Sequence, residues 1–319
     1  MISIETSNEP DIKWNDRLLE SGLGTVYQSK EISLHFKNQS KNVEFLKFID
    51  KTGAIVGQLL LSKEPYSSQG VKGKFRNLLS SQTIYKWSYG PVIFNLETQN
   101  DIYSSLEKFL LDRGCRVSGH EHPLLPTGAN KLKKINAVPW STFLIDLKKP
   151  KDDIFKNFSK HNCQKNILRS IKRGVVIEEI DKNTFREYYE LKKRNELHSN
   201  GYNMNVENLF NWWNLLKPLG YSGFLARKDQ KPIGGLLFSF MCGHIIEGGV
   251  VRSKEDLTKN LYSHDLIKWK IIEWGIKNNM NFYNLAGYNP NPISSKEEGI
   301  FRYKQKWGGE SYNFSLLKK

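Results

Sequence analysis

The residues best suited to chemistry in this chain are few, and most lie in its second half. Lys304 stands in "YKQKWGG", between Tyr303 and Trp307. When a neutral amine attacks an ester or thioester carbonyl, the oxygen becomes an oxyanion. A positioned ammonium in a dry cleft lowers that barrier as an oxyanion-hole donor does, by ~2.7–4 kcal/mol. Taken alone, the spacing reads first as an exposed lysine on the way to a closing strand. Glu247, in "HIIEGGVV", is a carboxylate among apolar strand residues beside Gly248-Gly249. It suits a general base or an orienting group for an incoming amine, and equally a structural partner for an arginine such as Arg252.

Three further sets could hold substrate. Lys165, Arg169 and Lys172 are spaced i, i+4 and i+7, so on a helix they form a basic stripe beside an apolar face of Ile167, Leu168 and Ile171. The stripe is either an anion-binding rim or a solvated helix face. Arg194 and His198 share a helix face in "LKKRNELHSNGY" and either line an acceptor pocket or mark an exposed helix end. Tyr262 sits in "KNLYSH", where a strand turns into a helix. Metal chemistry is not expected. Cys115, Cys163 and Cys242 are far apart, and His120 and His122 in "GHEHP" lack a third ligand nearby.

The elements that must position these residues are legible from pattern. The 319 residues, 39% of them apolar, are enough for about two domains. "FIDKTGAIVGQLLL" from Phe48 and "LARKDQKPIGGLLF" from Leu225 both read as strand, polar turn and strand. Gly57 and Gly234 fall at the same place in each second strand, where a bulge or a close approach favours glycine. After the first hairpin come the strand "GPVIF", the helix "DIYSSLEKFLLDRG" and a strand from Cys115. After the second come "HIIEGGVV", a helix with Leu266, Ile267, Ile271 and Trp274 on one face, and the strand "NFYNLAG". Two α/β units of similar plan are expected, fused head to tail.

Residues 141–147 alternate as a strand, Pro150 breaks the chain, Ile154 starts helical periodicity and Gly174 ends it. The formal net charge of +15 points to a negative partner: nucleic acid, a nucleotide diphosphate, coenzyme A or an anionic lipid surface. The start of the chain is polar and acidic, and no apolar stretch is long enough to span a bilayer. A soluble, cytoplasmic protein is expected.

The order of "TVYQS", "KWSYGPVIF", "NFSKHNCQKNILRSIKRGVVI", "KPIGGLLF", "NLYSHDLIKWKIIEWG", "FYNLAG" and "YKQKWGG" resembles the FemAB family of FemX-type peptidyltransferases and the related GNAT-class acyltransferases. The likeness runs over nearly the whole chain. It implies an α/β fold of tandem GNAT-like domains, residues 1–147 plus 308–319 forming the first and 148–307 the second, which carries the active site. It implies transfer of an aminoacyl group from aminoacyl-tRNA to a primary amine of a peptide or cell-envelope precursor. A phenylalanine-lysine pair of that family matches Tyr303-Lys304, which makes Lys304 the leading catalytic residue. Glu247 stands where FemX-type enzymes carry a tyrosine, and "YNMNVENLF" lacks their arginine for the precursor diphosphate.

The donor is a substrate, and no bound cofactor is implied. Acyl-CoA-dependent GNAT enzymes cradle pyrophosphate on a glycine-rich turn at a helix N-terminus. This chain has "LTKNLYSHDL" there, without glycine. Aminoacyl-tRNA is therefore the expected donor, acyl-CoA the alternative, and a catalytically silent RNA-binding protein a third reading. Peripheral contact with an anionic membrane surface is compatible with the charge.

Overall fold

The computed structural model describes residues 2–65, 83–196 and 206–319. Two compact units emerge: Met1–Ser141 with Tyr312–Lys319, and Thr142–Ser311. Unit 1 is built from β1 (Ser3–Ser7), α1 (Trp14–Glu20), α2 (Lys30–Asn38), β2 (Asn42–Ile49), β3 (Ile55–Pro65), β4 (Thr83–Trp87), β5 (Val92–Ile93), α3 (Gln99–Asp112) and β6 (Arg116–His120). The long strand β7 (Asn136–Asp146) leads into unit 2. There follow α4 (Lys151–Asn157), α5 (Lys165–Lys172), β8 (Val176–Glu179), α6 (Thr184–Glu196), α7 (Val206–Gly220), β9 (Tyr221–Lys228), β10 (Lys231–Met241), β11 (His244–Arg252), α8 (Lys254–Thr258), α9 (Ser263–Lys277), β12 (Phe282–Tyr288) and α10 (Ser295–Gln305). The closing strand β13 (Glu310–Lys318) pairs antiparallel with β6, Leu316 opposite His120.

In unit 1 the strand order is β1-β2-β3-β4-β6-β13; in unit 2 it is β7-β12-β11-β10-β9-β8. Each unit has an antiparallel hairpin, β2–β3 or β9–β10, with a bulge beside its glycine. The glycines are also required by close approach. A Cβ on Gly234 would lie 2.4 Å from Ser263 Oγ, and one on Gly57 3.0 Å from the Val92 carbonyl oxygen. In each unit the next long strand pairs antiparallel with the hairpin and parallel with the strand beyond its helix: β4 with β6, β11 with β12.

The unit 1 counterpart of β11 is therefore Thr83–Trp87, and not the "GPVIF" stretch read as that strand. Only Val92–Ile93 of that stretch forms a strand, paired with Gly57 and Gln58. The turn before it explains the shortness: Tyr89 is left-handed at φ 55°, and Pro91 has no N–H to donate.

The core of unit 2 lies between its sheet and α9, which is buried on nearly every side from Ser263 to Ile272. Phe155, Phe158, Trp269 and Trp307 form an aromatic cluster, with Phe158 5.1 Å from Trp307 and Phe155 5.0 Å from Trp269. It fixes the C-terminal end of α10 against α4 and α9. Gly308, at φ 65°, ends α10 in the left-handed conformation, and a Cβ there would meet the Asn157 carbonyl oxygen at 2.3 Å. The anchored helix end is what gives Lys304 a fixed place.

Candidate functional site

The parallel strands β11 and β12 pair only at His244↔Phe282, Ile245↔Tyr283 and Ile246↔Asn284, and then diverge. Glu247 is the first residue of β11 beyond the last pair. The next two, Gly248 and Gly249, form a bulge against β10, where the register shifts between Leu236 and Phe238. In unit 1 the corresponding strands stay bound through Trp87↔Gly119, and the Gly90 N–H continues the ladder to the His120 carbonyl. The fork is thus a feature of unit 2.

Divergence frees backbone carbonyls on β12, and buried carbonyls must find donors. Lys304, in the last turn of α10, supplies them: its Nζ donates to the carbonyls of Ala286 at 2.9 Å and Gly287 at 2.7 Å. Ala286 is left-handed at φ 62°. Its N–H donates to Asn284 Oδ1 at 2.8 Å, while the Thr142 hydroxyl lies 2.9 Å from its carbonyl oxygen and 2.5 Å from Asn284 Oδ1. Burial lowers the Lys304 ammonium to about 8; Glu247 opposes that fall and Lys268 adds to it.

Glu247 does not pair with Arg252, which bonds Asp256 at 2.5 Å. Its partner is Lys268 of α9, a lysine only 1% exposed, whose Nζ donates to Glu247 Oε2. The Tyr283 hydroxyl donates to the same oxygen at 3.2 Å. Burial first, and then the Glu247 charge, hold Tyr283 neutral well above the usual phenol range. The ring of Tyr303 has two ammonium groups close to it, Lys268 at 5.3 Å and Lys306 at 4.3 Å. Its hydroxyl is buried with no hydrogen-bond partner. Lys306 is held by Asp265 at 2.6 Å, and Asp265 also accepts from Asn166 of α5 at 2.9 Å.

The start of α9 is closed by the chain itself. Tyr262 caps it in the left-handed conformation at φ 56°, without a side-chain cap. The fully buried carboxylate of Asp256 accepts from the Ser263 N–H at 2.9 Å, so an internal anion sits at the positive end of the helix. Arg173 lies over the Tyr262 ring at 5.4 Å and donates to the Asn260 carbonyl.

Of the residues read from sequence, Lys304, Glu247 and Tyr303 gather around the fork and Tyr262 marks the turn into α9. Lys165, Arg169 and Lys172 lie exposed on α5. The apolar face drawn beside them is corrected: Ile167 is buried with Cys163 and Ser170, whereas Leu168 and Ile171 are 57% and 53% exposed. Arg194 is exposed and lines a groove with Arg186, Glu190 and Pro232 that includes neither Glu247 nor Lys304. His198 and residues 202–205 of "YNMNVENLF" lie outside the described residues.

Lys268, Tyr283, Asp256 and Asp265 were not singled out by sequence reasoning. The available signal was helical phase: Lys268 falls one residue from Ile267 and three from Ile271, on the buried arc of α9.

No family model matches the chain, and no curated protein matches it in sequence. Solved structures do match in shape. FemX superposes with a TM-score of 0.69 at 12% identity, over 98% of this chain and 96% of that one. The chain has the FemX fold. L-PGS from Bacillus licheniformis superposes at 0.59 with 11% identity, over 98% of this chain and 93% of that one. A tandem GNAT protein from the clavulanic acid biosynthesis pathway does so at 0.55 with 10% identity, over 100% and 98%. The FemX fold of this protein is accordingly a mixed α/β, tandem GNAT-like one. Among the described residues, no helix is long and apolar enough to cross a membrane.

Proposed function

We propose that unit 2 is an aminoacyltransferase site that moves an aminoacyl group from aminoacyl-tRNA to a primary amine of a peptide or cell-envelope precursor. The observation that carries this reading is Lys304, a half-buried lysine whose ammonium is tied to two carbonyls at the fork. An ammonium has three N–H bonds, and the third is available to a developing oxyanion. The incoming amine's nitrogen forms a bond to the ester carbonyl carbon while the C=O electron pair moves onto oxygen. Glu247 Oε1, opposite the oxygen that holds Lys268 and Tyr283, accepts the hydrogen bond of the attacking nitrogen and takes its proton. Collapse expels the ribose hydroxyl oxygen, which leaves with that proton.

The choice of donor rests on α9. A coenzyme's pyrophosphate would need the N–H groups at a helix start, and here the Asp256 carboxylate already occupies the first of them. The net charge of +15 suits a tRNA. FemX and L-PGS share the fold, in keeping with an envelope acceptor. Contact with an anionic membrane surface through the exposed cations of α5 belongs to the same reading.

The test is a donor screen: purified protein with radiolabelled aminoacyl-tRNAs and, in parallel, labelled acyl-CoAs, each with a pool of small amines and envelope peptides. Label passing from aminoacyl-tRNA to an amine is the expected result. Transfer from the thioester alone would overturn the donor assignment. Binding of tRNA without any transfer would replace the enzyme with an RNA-binding protein.

A further inference from the structure

Four elements of unit 2 bring charge to one buried spot. Glu247 comes from β11, Lys268 from α9, Tyr283 from β12, and Lys304 with Tyr303 from α10. Lys268 is 1% exposed and the Glu247 side chain 9%. A lysine so placed costs free energy to ionise and is retained only where its partner needs it. Nothing in the acyl-transfer steps above uses Lys268 directly.

We propose that Lys268 is a positioning residue of the site: its ammonium pins Glu247 at the fork and, together with that carboxylate, governs the charge of Lys304. The proposal rests on the aminoacyltransferase reading for its purpose, while the hold of Lys268 on Glu247 stands on geometry. Lys268 and Tyr283 both bond Oε2, which fixes the carboxylate's rotation and leaves Oε1 without a bond from either. With Lys304 the cluster holds two cations and one anion. Removing the anion leaves two ammonium groups without the carboxylate that offsets their repulsion. Removing Lys268 leaves Glu247 and Lys304 as a simple opposite pair. Other titratable groups near the cluster are Tyr303 beside Lys268, the Asp265–Lys306 pair, in contact at 2.6 Å, and His264 and Cys163, which both feel the charge of Lys268.

The two removals must therefore move Lys304 in opposite directions. Burial lowers Lys304, Glu247 raises it and Lys268 lowers it. A single opposite charge nearby shifts a titration by ~1–3 units. Protein labelled with 13C at the lysine ε carbon, with the Lys304 resonance assigned from Lys304→Arg, gives the titration directly by NMR and needs no substrate.

Lys268→Met is expected to raise the Lys304 midpoint by about one unit and Glu247→Gln to lower it by a similar amount. The double variant, which removes both charges, should lie between them. It also guards against a Lys268→Met protein that fails to fold with an unpaired buried carboxylate, because the double variant leaves none. Lys268→Arg should keep the wild-type midpoint. In turnover, Lys268→Met should lower kcat more than it raises KM, with the alkaline limb displaced in step with the NMR midpoint.

Shifts in the same direction, or a midpoint unmoved in Glu247→Gln, overturn the proposal. Opposite shifts in a protein that transfers nothing from any donor would leave the coupling standing and remove the aminoacyltransferase reading. Normal turnover by Lys268→Met with an unmoved midpoint would do the reverse.

Discussion

Lys304 spends two of its three N–H bonds on the Ala286 and Gly287 carbonyls, and the third defines what it contributes. Lys304→Ala should lower kcat about 10²–10³-fold with tRNA binding retained, measured by single-turnover transfer and by a binding titration. An unchanged rate would remove Lys304 from the chemistry. The pH dependence has a definite sign. Burial brings the ammonium down to about 8, and the protonated form is the donor, so the wild-type rate declines as pH rises through about 8. Lys304→Arg stays charged and should lose that alkaline limb. The measurement is a rate profile from neutral to alkaline pH for both proteins.

The element α5 shows how a helix can carry two apolar sets with different fates. Ile167 is 1% exposed in the core of unit 2, while Leu168 and Ile171 face water beside Lys165, Arg169 and Lys172. Ile167→Ala should cost about 2–4 kcal/mol by urea denaturation and Leu168→Ala less than about 0.5 kcal/mol. Equal losses would contradict the observed packing. At α9 the Asp256 carboxylate serves both the Ser263 N–H and Arg252. Asp256→Ala removes a cap and leaves Arg252 without that partner, so a loss of about 2 kcal/mol is expected in the same assay. A stability within error of wild type would mean that the helix start does not depend on this internal anion.

Across the molecule, unit 2 depends on histidines that stay neutral in the folded state. Burial lowers His264 to about 3 and His244 to about 4, and His264 shares a hydrogen bond of 2.7 Å with the Val251 carbonyl. Their folded values lie below the ordinary unfolded value of ~6.5, so the unfolded chain takes up protons first. The stability they permit is fully present above about pH 6.5 and is lost as pH falls toward 4. Each contributes about 1.4 kcal/mol per pH unit within that window. Urea unfolding between pH 7 and 4.5 checks this, and His264→Asn should flatten the slope. At the same scale, a net charge of +15 makes tRNA binding salt dependent, with affinity falling at least about tenfold between 50 and 200 mM salt. A flat salt response would point away from phosphate recognition.

Local pattern was enough for the sequence to reveal the two hairpins, the paired glycines, the apolar face of α9 and the tandem plan. Each is written in residues a few positions apart. Glu247 was legible as a candidate because a carboxylate in an apolar strand is locally unusual, and Lys304 because Tyr303-Lys304 matches a residue pair of the family the sequence resembles. What the sequence could not carry is burial. Lys268 reads as a surface cation until Glu247, 21 positions earlier, meets it across the core. The same holds for Asp256 on the start of α9, for the exposed Leu168 and Ile171, and for β4 displacing "GPVIF" as the paired strand. Only the tertiary structure decides which side of an element loses water, and that loss turns ordinary charged side chains into a coupled site.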